Sequence, residues 1–143
     1  MQKKRLNKTA SLLINELLDR GFVIQRYDAY STSSIYLKLD YGVCNSIRIG
    51  DHPGKKYLNY RYNIGPCTLK PYHTDKPYTR YFYPEKMVYE LIKLIEAERS
   101  EKLLKYGKRN YKNFMDKNQE QGKEKQGFWQ QARLIEGRET ACS

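Results

Sequence analysis

Cys44, His52, Cys67 and His73 are side chains of the types that ligate zinc. Their spacing, Cys-x7-His-x14-Cys-x5-His, lacks the close cysteine pair that lets two thiolates grip one ion from a single turn. Cys44 and Cys67 therefore read as free thiols. Asp51-His52, and His73 with Asp75, set an imidazole beside a carboxylate, the parts of general acid–base catalysis, but both pairs fall in loop-like stretches. Asp40 and Asp51 end neighbouring strand-like segments, where two carboxylates could hold a nuclease metal. No Glu-x-Lys follows on the next segment, so they read as strand-end and turn residues. The sequence contains neither a Gly-x-x-x-x-Gly-Lys phosphate loop nor a Gly-x-Ser-x-Gly nucleophile elbow. The expectation is a protein with no catalytic residues, no metal and no cofactor.

A second chemistry is written more densely. Lys and Arg number 27 against 16 Asp and Glu, a net charge of +11 in 143 residues. A field of that size attracts polyanions and speeds their association. Eleven of the 14 tyrosines fall between Tyr27 and Tyr83, interleaved with Arg and Lys. Tyrosine rings offer planes on which bases stack, and the cations neutralise phosphate, the two tools of surfaces that bind RNA and single strands. If the pairing follows the alternation described below, Tyr36, Lys38, Arg48, Tyr57, Asn59 and Arg61 share one sheet face, with Lys55 and Lys56 on a turn at its rim. The plainer alternative is the solvated side of a one-sided sheet, which is ordinarily polar and carries tyrosine because tyrosine suits strands. A one-residue slip in register would dissolve the cluster.

The elements that must position these residues follow from periodicity. Leu6, Ala10, Leu13, Ile14, Leu17 and Leu18 recur at helical spacing, and Gly21 is a natural stop, giving a helix over 7–20. Lys3, Lys4, Arg5 and Lys8 lie at its start, where the helix dipole disfavours cations, and read as a solvated arm. After Gly21 the period becomes two. Phe22 to Tyr27 begins a strand. Ser33 to Asp40 is another, with Ile35, Leu37 and Leu39 inward and Ser34, Tyr36, Lys38 and Asp40 outward. Tyr41 to Asn45 connects it to Ser46–Gly50, and Asp51 to Lys56 is a basic turn. Tyr57 to Ile64 is the next strand, with Leu58, Tyr60, Tyr62 and Ile64 inward and Tyr57, Asn59, Arg61 and Asn63 outward.

The prolines at 66, 71, 77 and 84 argue for a tyrosine-rich loop, with Thr79 to Tyr83 as a short edge strand. Pro84 opens a second helix whose apolar stripe runs from Met87 to Ile95 and fades after Leu104. Tyr111, Phe114 and Met115 anchor a polar helical stretch over 108–126. Phe128, Ala132 and Ile135 share one face of a last amphipathic patch. Phe128, Trp129 and Ile135 are candidate anchors for a partner's groove, or for folding back onto the chain's own sheet. The fold class is thus α+β: a basic α-β-β-β-α domain over 1–106 with a three- to four-stranded antiparallel sheet, then a charged helical extension and disordered tail over 107–143.

That order over residues 7–106 resembles the topology of double-stranded RNA-binding domains, which implies RNA as partner. The family's lysine cluster at its second helix is reduced here to Pro84-Glu85-Lys86, and its Gly-Pro-x-His between the first two strands is missing. Arg20-Gly21-Phe22 followed by Arg26 is similar to small bacterial toxin ribonucleases of the HicA kind. Their catalytic histidine after Gly-Ser has no counterpart, since Ser33-Ser34 leads into Ile35, so the likeness implies fold and not activity. The short basic chain with its charged extension also resembles accessory proteins of bacteriophages and mobile elements, anti-CRISPR inhibitors included. This second likeness implies a nucleoprotein partner, such as the protein–RNA complex of a CRISPR effector in host defence. A mean hydropathy of -0.89 and the interruption of Leu12-Leu13-Ile14 by Asn15-Glu16 argue against a membrane span and a signal peptide. Three scattered cysteines make no disulfide framework, and the expected location is the cytoplasm.

Overall fold

The computed structural model describes residues 8–29, 34–50, 60–64, 79–124 and 132–137. Helix α1 (Lys8–Asp19) turns Ala10, Leu13, Ile14 and Leu17 onto one buried face. It ends as its glycine requires. Gly21 takes φ +83, its N–H donates to Leu18 O (2.9 Å), and the Phe22 N–H reaches back to Leu17 O (3.1 Å). This Schellman closure satisfies carbonyls that the helix leaves open and sends Phe22 into the core.

Strands β1 (Ile24–Asp28), β2 (Ile35–Leu39), β3 (Ser46–Ile49), β4 (Tyr60–Ile64) and β5 (Thr79–Tyr83) follow. After them come helices α2 (Val88–Tyr106) and α3 (Lys108–Glu124), then a two-residue strand β6 (Arg133–Leu134). The strands form one antiparallel sheet in the order β5-β4-β3-β2-β1-β6. The α+β class and the order helix, sheet, helix, helix agree with the periodicity. The sheet is wider than expected, because five strands separate α1 from α2 and a sixth returns from the far end of the chain.

Ile24, Ile35, Leu37, Leu39, Ile47 and Tyr62 face the same core as α1 and the α2 residues Val88, Leu91, Ile92 and Ile95, so both helices cover one face of the sheet. Each such aliphatic side chain contributes about 1.5–3 kcal/mol by leaving water. The expected alternation holds along β2 and β3. It also carries a charged pair inward on β1, where Arg26 (1 % exposed) and Asp28 (6 %) stand beside Ile24. Arg26 Nε lies 2.7 Å from Asp28 Oδ1, which compensates two desolvated charges.

Three readings change. Asp40 was expected to face outward but is fully buried, because the strand ends at Leu39 and Asp40 turns inward at φ +49. Ser34 keeps the outer face yet is covered, and its hydroxyl accepts from Arg48 Nε at 3.0 Å. The segment at Ala132–Ile135 is extended rather than helical. Its Ile135 N–H donates to Ile24 O (2.9 Å), pairing the edge of β1, and the Ile135 side chain enters the core. The 107–143 extension is therefore joined to the sheet domain, and residues 138–143 lie outside the described residues.

Candidate nucleic-acid interface

The strand register aligns two rows of paired residues, whose members on β1, β2 and β3 lie on the face turned away from α1 and α2. One runs Tyr27, Tyr36, Arg48, Arg61, Phe82 and the other Gln25, Lys38, Ser46, Asn63, Arg80. Tyr36, Lys38 and Arg48 stand together there as the spacing implied, each half-buried. The backbone register brings Arg61 directly opposite Arg48. Of these ten positions four are Lys or Arg and none is a carboxylate. Arg48 is itself held by the fold, its Nε donating to the Ser34 hydroxyl at 3.0 Å.

Tyr27 joins this surface and was not singled out from the sequence. Its ring centroid lies 6.4 Å from that of Tyr36, tilted by 42°. The signal was available, since inward Ile24 forces Tyr27 outward; the inward Arg26 between them obscured it. Lys55, Lys56, Tyr57 and Asn59 lie outside the described residues, as do Phe128 and Trp129. Ile135 was a candidate partner contact; it is committed to the chain's own core at 7 % exposure.

At one end of the sheet the β2–β3 connection holds a different polar cluster. Asp40, Tyr41, Gly42 and Asn45 all have positive φ (49, 53, 91 and 73°), a tight path closed by Cys44 N–H to Leu39 O (3.2 Å) and Leu39 N–H to Asn45 O (3.0 Å). Asp and Asn tolerate this region better than most residues, whereas Tyr41 is strained in it. Asp40 accepts from the Val23 N–H (2.9 Å) and the Tyr111 hydroxyl (2.5 Å), and Arg99 Nε lies 3.3 Å away. Arg99 also donates to the carbonyls of Arg20 (2.8 Å) and Gly21 (3.2 Å) and lies over the Phe22 ring. Lys102 donates to Val43 O and Asn118 to Tyr41 O. These contacts tie α2 and α3 to the end of the sheet.

The same cluster fixes the chemistry of Cys44. Burial pushes its thiol up to about 11, which leaves it protonated and a poor nucleophile or ligand. Its neighbour Tyr62 donates to Cys44 O (3.0 Å) and accepts from Asn45 Nδ2 (3.0 Å), and burial raises this phenol too. Tyr111 is raised for the same reason, reinforced by the Cys44 and Asp40 charges. His52, Cys67, His73, Asp51 and Asp75 lie outside the described residues. Among the described residues no group of three or more His, Cys, Asp or Glu could hold a metal ion, and no helix is long and apolar enough to cross a membrane. Comparison with protein-family models, with curated proteins and with solved structures finds no match to this chain.

Proposed function

We propose that this protein is a non-enzymatic nucleic-acid-binding protein that contacts RNA or other single strands through the outer face of its sheet. The observation that carries the reading is the composition of the two rows that the register aligns: four of their ten residues are Lys or Arg and none is a carboxylate, with Tyr27 and Tyr36 among them. A solvated face shaped only by solubility mixes signs, since opposite charges across strands stabilise pairing and like charges oppose it. Aromatic rings beside cations suit unstacked bases with their phosphates, whereas duplex DNA is read by an element that enters a groove. The net charge of +11 supports the same partner class.

The test is binding of the purified chain to labelled single-stranded RNA, duplex RNA and duplex DNA across a salt series. Binding that prefers single strands and weakens steeply with salt is the expected result. Equal and weak binding to all three at physiological salt would overturn it and turn attention to a nucleoprotein partner, the inhibitor-like alternative. A pull-down with and without nuclease treatment separates these partners, because a protein-held complex survives digestion.

A further inference from the structure

Charge is segregated along α2 and α3 in a way that the balance of the whole segment hides. Val88 to Glu101 holds four acids and two bases, whereas Lys102 to Met115 holds five bases and no acid. Lys102 is occupied by Val43 O at 2.5 Å. The other four, Lys105, Lys108, Arg109 and Lys112, are exposed and straddle the α2–α3 corner.

The corner holds its shape. Gly107 sits at φ +85 with its N–H on Leu103 O (2.8 Å), Tyr111 N–H closes on Gly107 O (3.0 Å), and Asn110 Nδ2 donates to Tyr106 O (2.9 Å). Tyr106 and Phe114 meet edge to face at 5.8 Å, and the Tyr111 hydroxyl anchors the turn to buried Asp40. Lys108 and Arg109 open α3, where the dipole opposes cations, and Lys112 follows one turn on, whereas Lys105 lies in the last turn of α2. One exposed pairing, Lys112 with Asp116 at 3.5 Å, offsets little of this.

We infer that the α2–α3 corner is a second nucleic-acid contact, a sequence-independent clamp on the phosphate backbone, separate from the stacking face of the sheet. A phosphate chain supplies the charge that the corner lacks; Lys105 Nζ lies 5.4 Å from the centre of the Tyr106 ring, but Tyr106 and Phe114 are half-buried against each other, and such cations position a backbone rather than read bases. The inference shares its ligand class with the sheet-face reading and can fail independently of it.

The experiment measures affinity for a labelled oligouridylate against salt for three full-length chains. They are the native protein, a corner variant (Lys105→Gln, Lys108→Gln, Arg109→Gln and Lys112→Gln) and a face variant (Lys38→Gln, Arg48→Gln and Arg61→Gln). At about 0.7 released ions per contact, the corner variant is expected to lose about two to three from the salt slope and about tenfold or more in affinity at about 0.1 M salt. Replacing Lys105, Lys108 and Lys112 by Arg keeps the charge and is expected to keep the native slope. If the four-fold variant fails to fold, the pairs 105/108 and 109/112 are each expected to show about half the slope change. A native slope and affinity in the corner variant, with loss only in the face variant, overturns the clamp and leaves the sheet reading standing. Loss only in the corner variant supports the clamp and overturns the sheet face. No binding by the native chain even at low salt overturns both.

Discussion

The β2–β3 turn and the outer face of the sheet use charge in opposite ways, although Lys38 at the edge of one lies against Gly42 in the other. In the turn, each buried charge has a named opposite or donor: Asp40 is met by Arg99, Tyr111 and the Val23 N–H. On the face, Arg48 stands opposite Arg61, and no carboxylate occupies either row. In the turn the charge is buried and met by groups far along the chain; along the outer rows Lys38 and Arg48 stay half-buried, within reach of solvent. The contrast predicts large stability effects and small binding effects in the turn, and the reverse on the face.

Asp40→Ala is expected to give the largest loss, about 3–5 kcal/mol in urea unfolding, because Arg99 keeps its charge while its buried partner disappears. A variant within about 1 kcal/mol of native would break the comparison at its strongest point. Tyr111→Phe removes one hydrogen bond to a buried carboxylate and should cost about 2 kcal/mol, with amide exchange accelerating first in α3.

Cys44 brings in pH. Its thiol is raised from 9.0 to about 11, so below pH 9 it is protonated whether the chain is folded or not. Above that the unfolded chain releases its proton first, and stability falls between about pH 9 and 11, by up to about 1.4 kcal/mol per pH unit. Tyr62 and Tyr111 act in the same direction from about pH 10. A Cys44→Ala chain should show a shallower decline over the first part of that range; an unchanged slope would mean that the thiol is not held protonated.

On the face the order reverses. Arg48→Gln loses a half-buried bond to Ser34, so stability should move by about 1 kcal/mol while oligouridylate binding weakens severalfold. The smallest effect belongs to Lys112→Ala. Its exposed pair with Asp116 is worth less than about 0.5 kcal/mol, and a larger change in the urea midpoint would mean that the corner cations stabilise the fold.

The strands with clean alternation were readable, since Ile35, Leu37 and Leu39 can only share a face if the intervening Tyr36 and Lys38 share the other. Arg26 and Asp28 were not, because an inward charge becomes tolerable only when its opposite stands two residues along the same strand. Asp40 reads as a strand end, and it follows the last strand residue, Leu39. That its carboxylate turns inward depends on Tyr111, 71 residues later, and periodicity within a window carries no such information. Tyr111 was legible as an anchor, but not what it anchors to. The α2–α3 corner escaped notice because residues 84–143 hold 13 bases and ten acids, a balance that conceals the run from Lys102 to Met115. Ile135 was given a helical face with Phe128, yet two residues before it pair with β1.

That last pairing gives β1 its neighbour on one side. The Ile135 N–H and the bridges of Leu134 to Gln25 and Arg133 to Arg26 cap a strand edge that would otherwise offer unpaired backbone groups. Strand β6 also leaves the ribosome after every other described element. During synthesis the β1 edge therefore waits open as a template for any extended chain, and the risk of misassembly between nascent copies is greatest just before the final strand arrives. A chain cut short of residue 132 would keep that edge open permanently and should be recovered as aggregates or strand-paired oligomers.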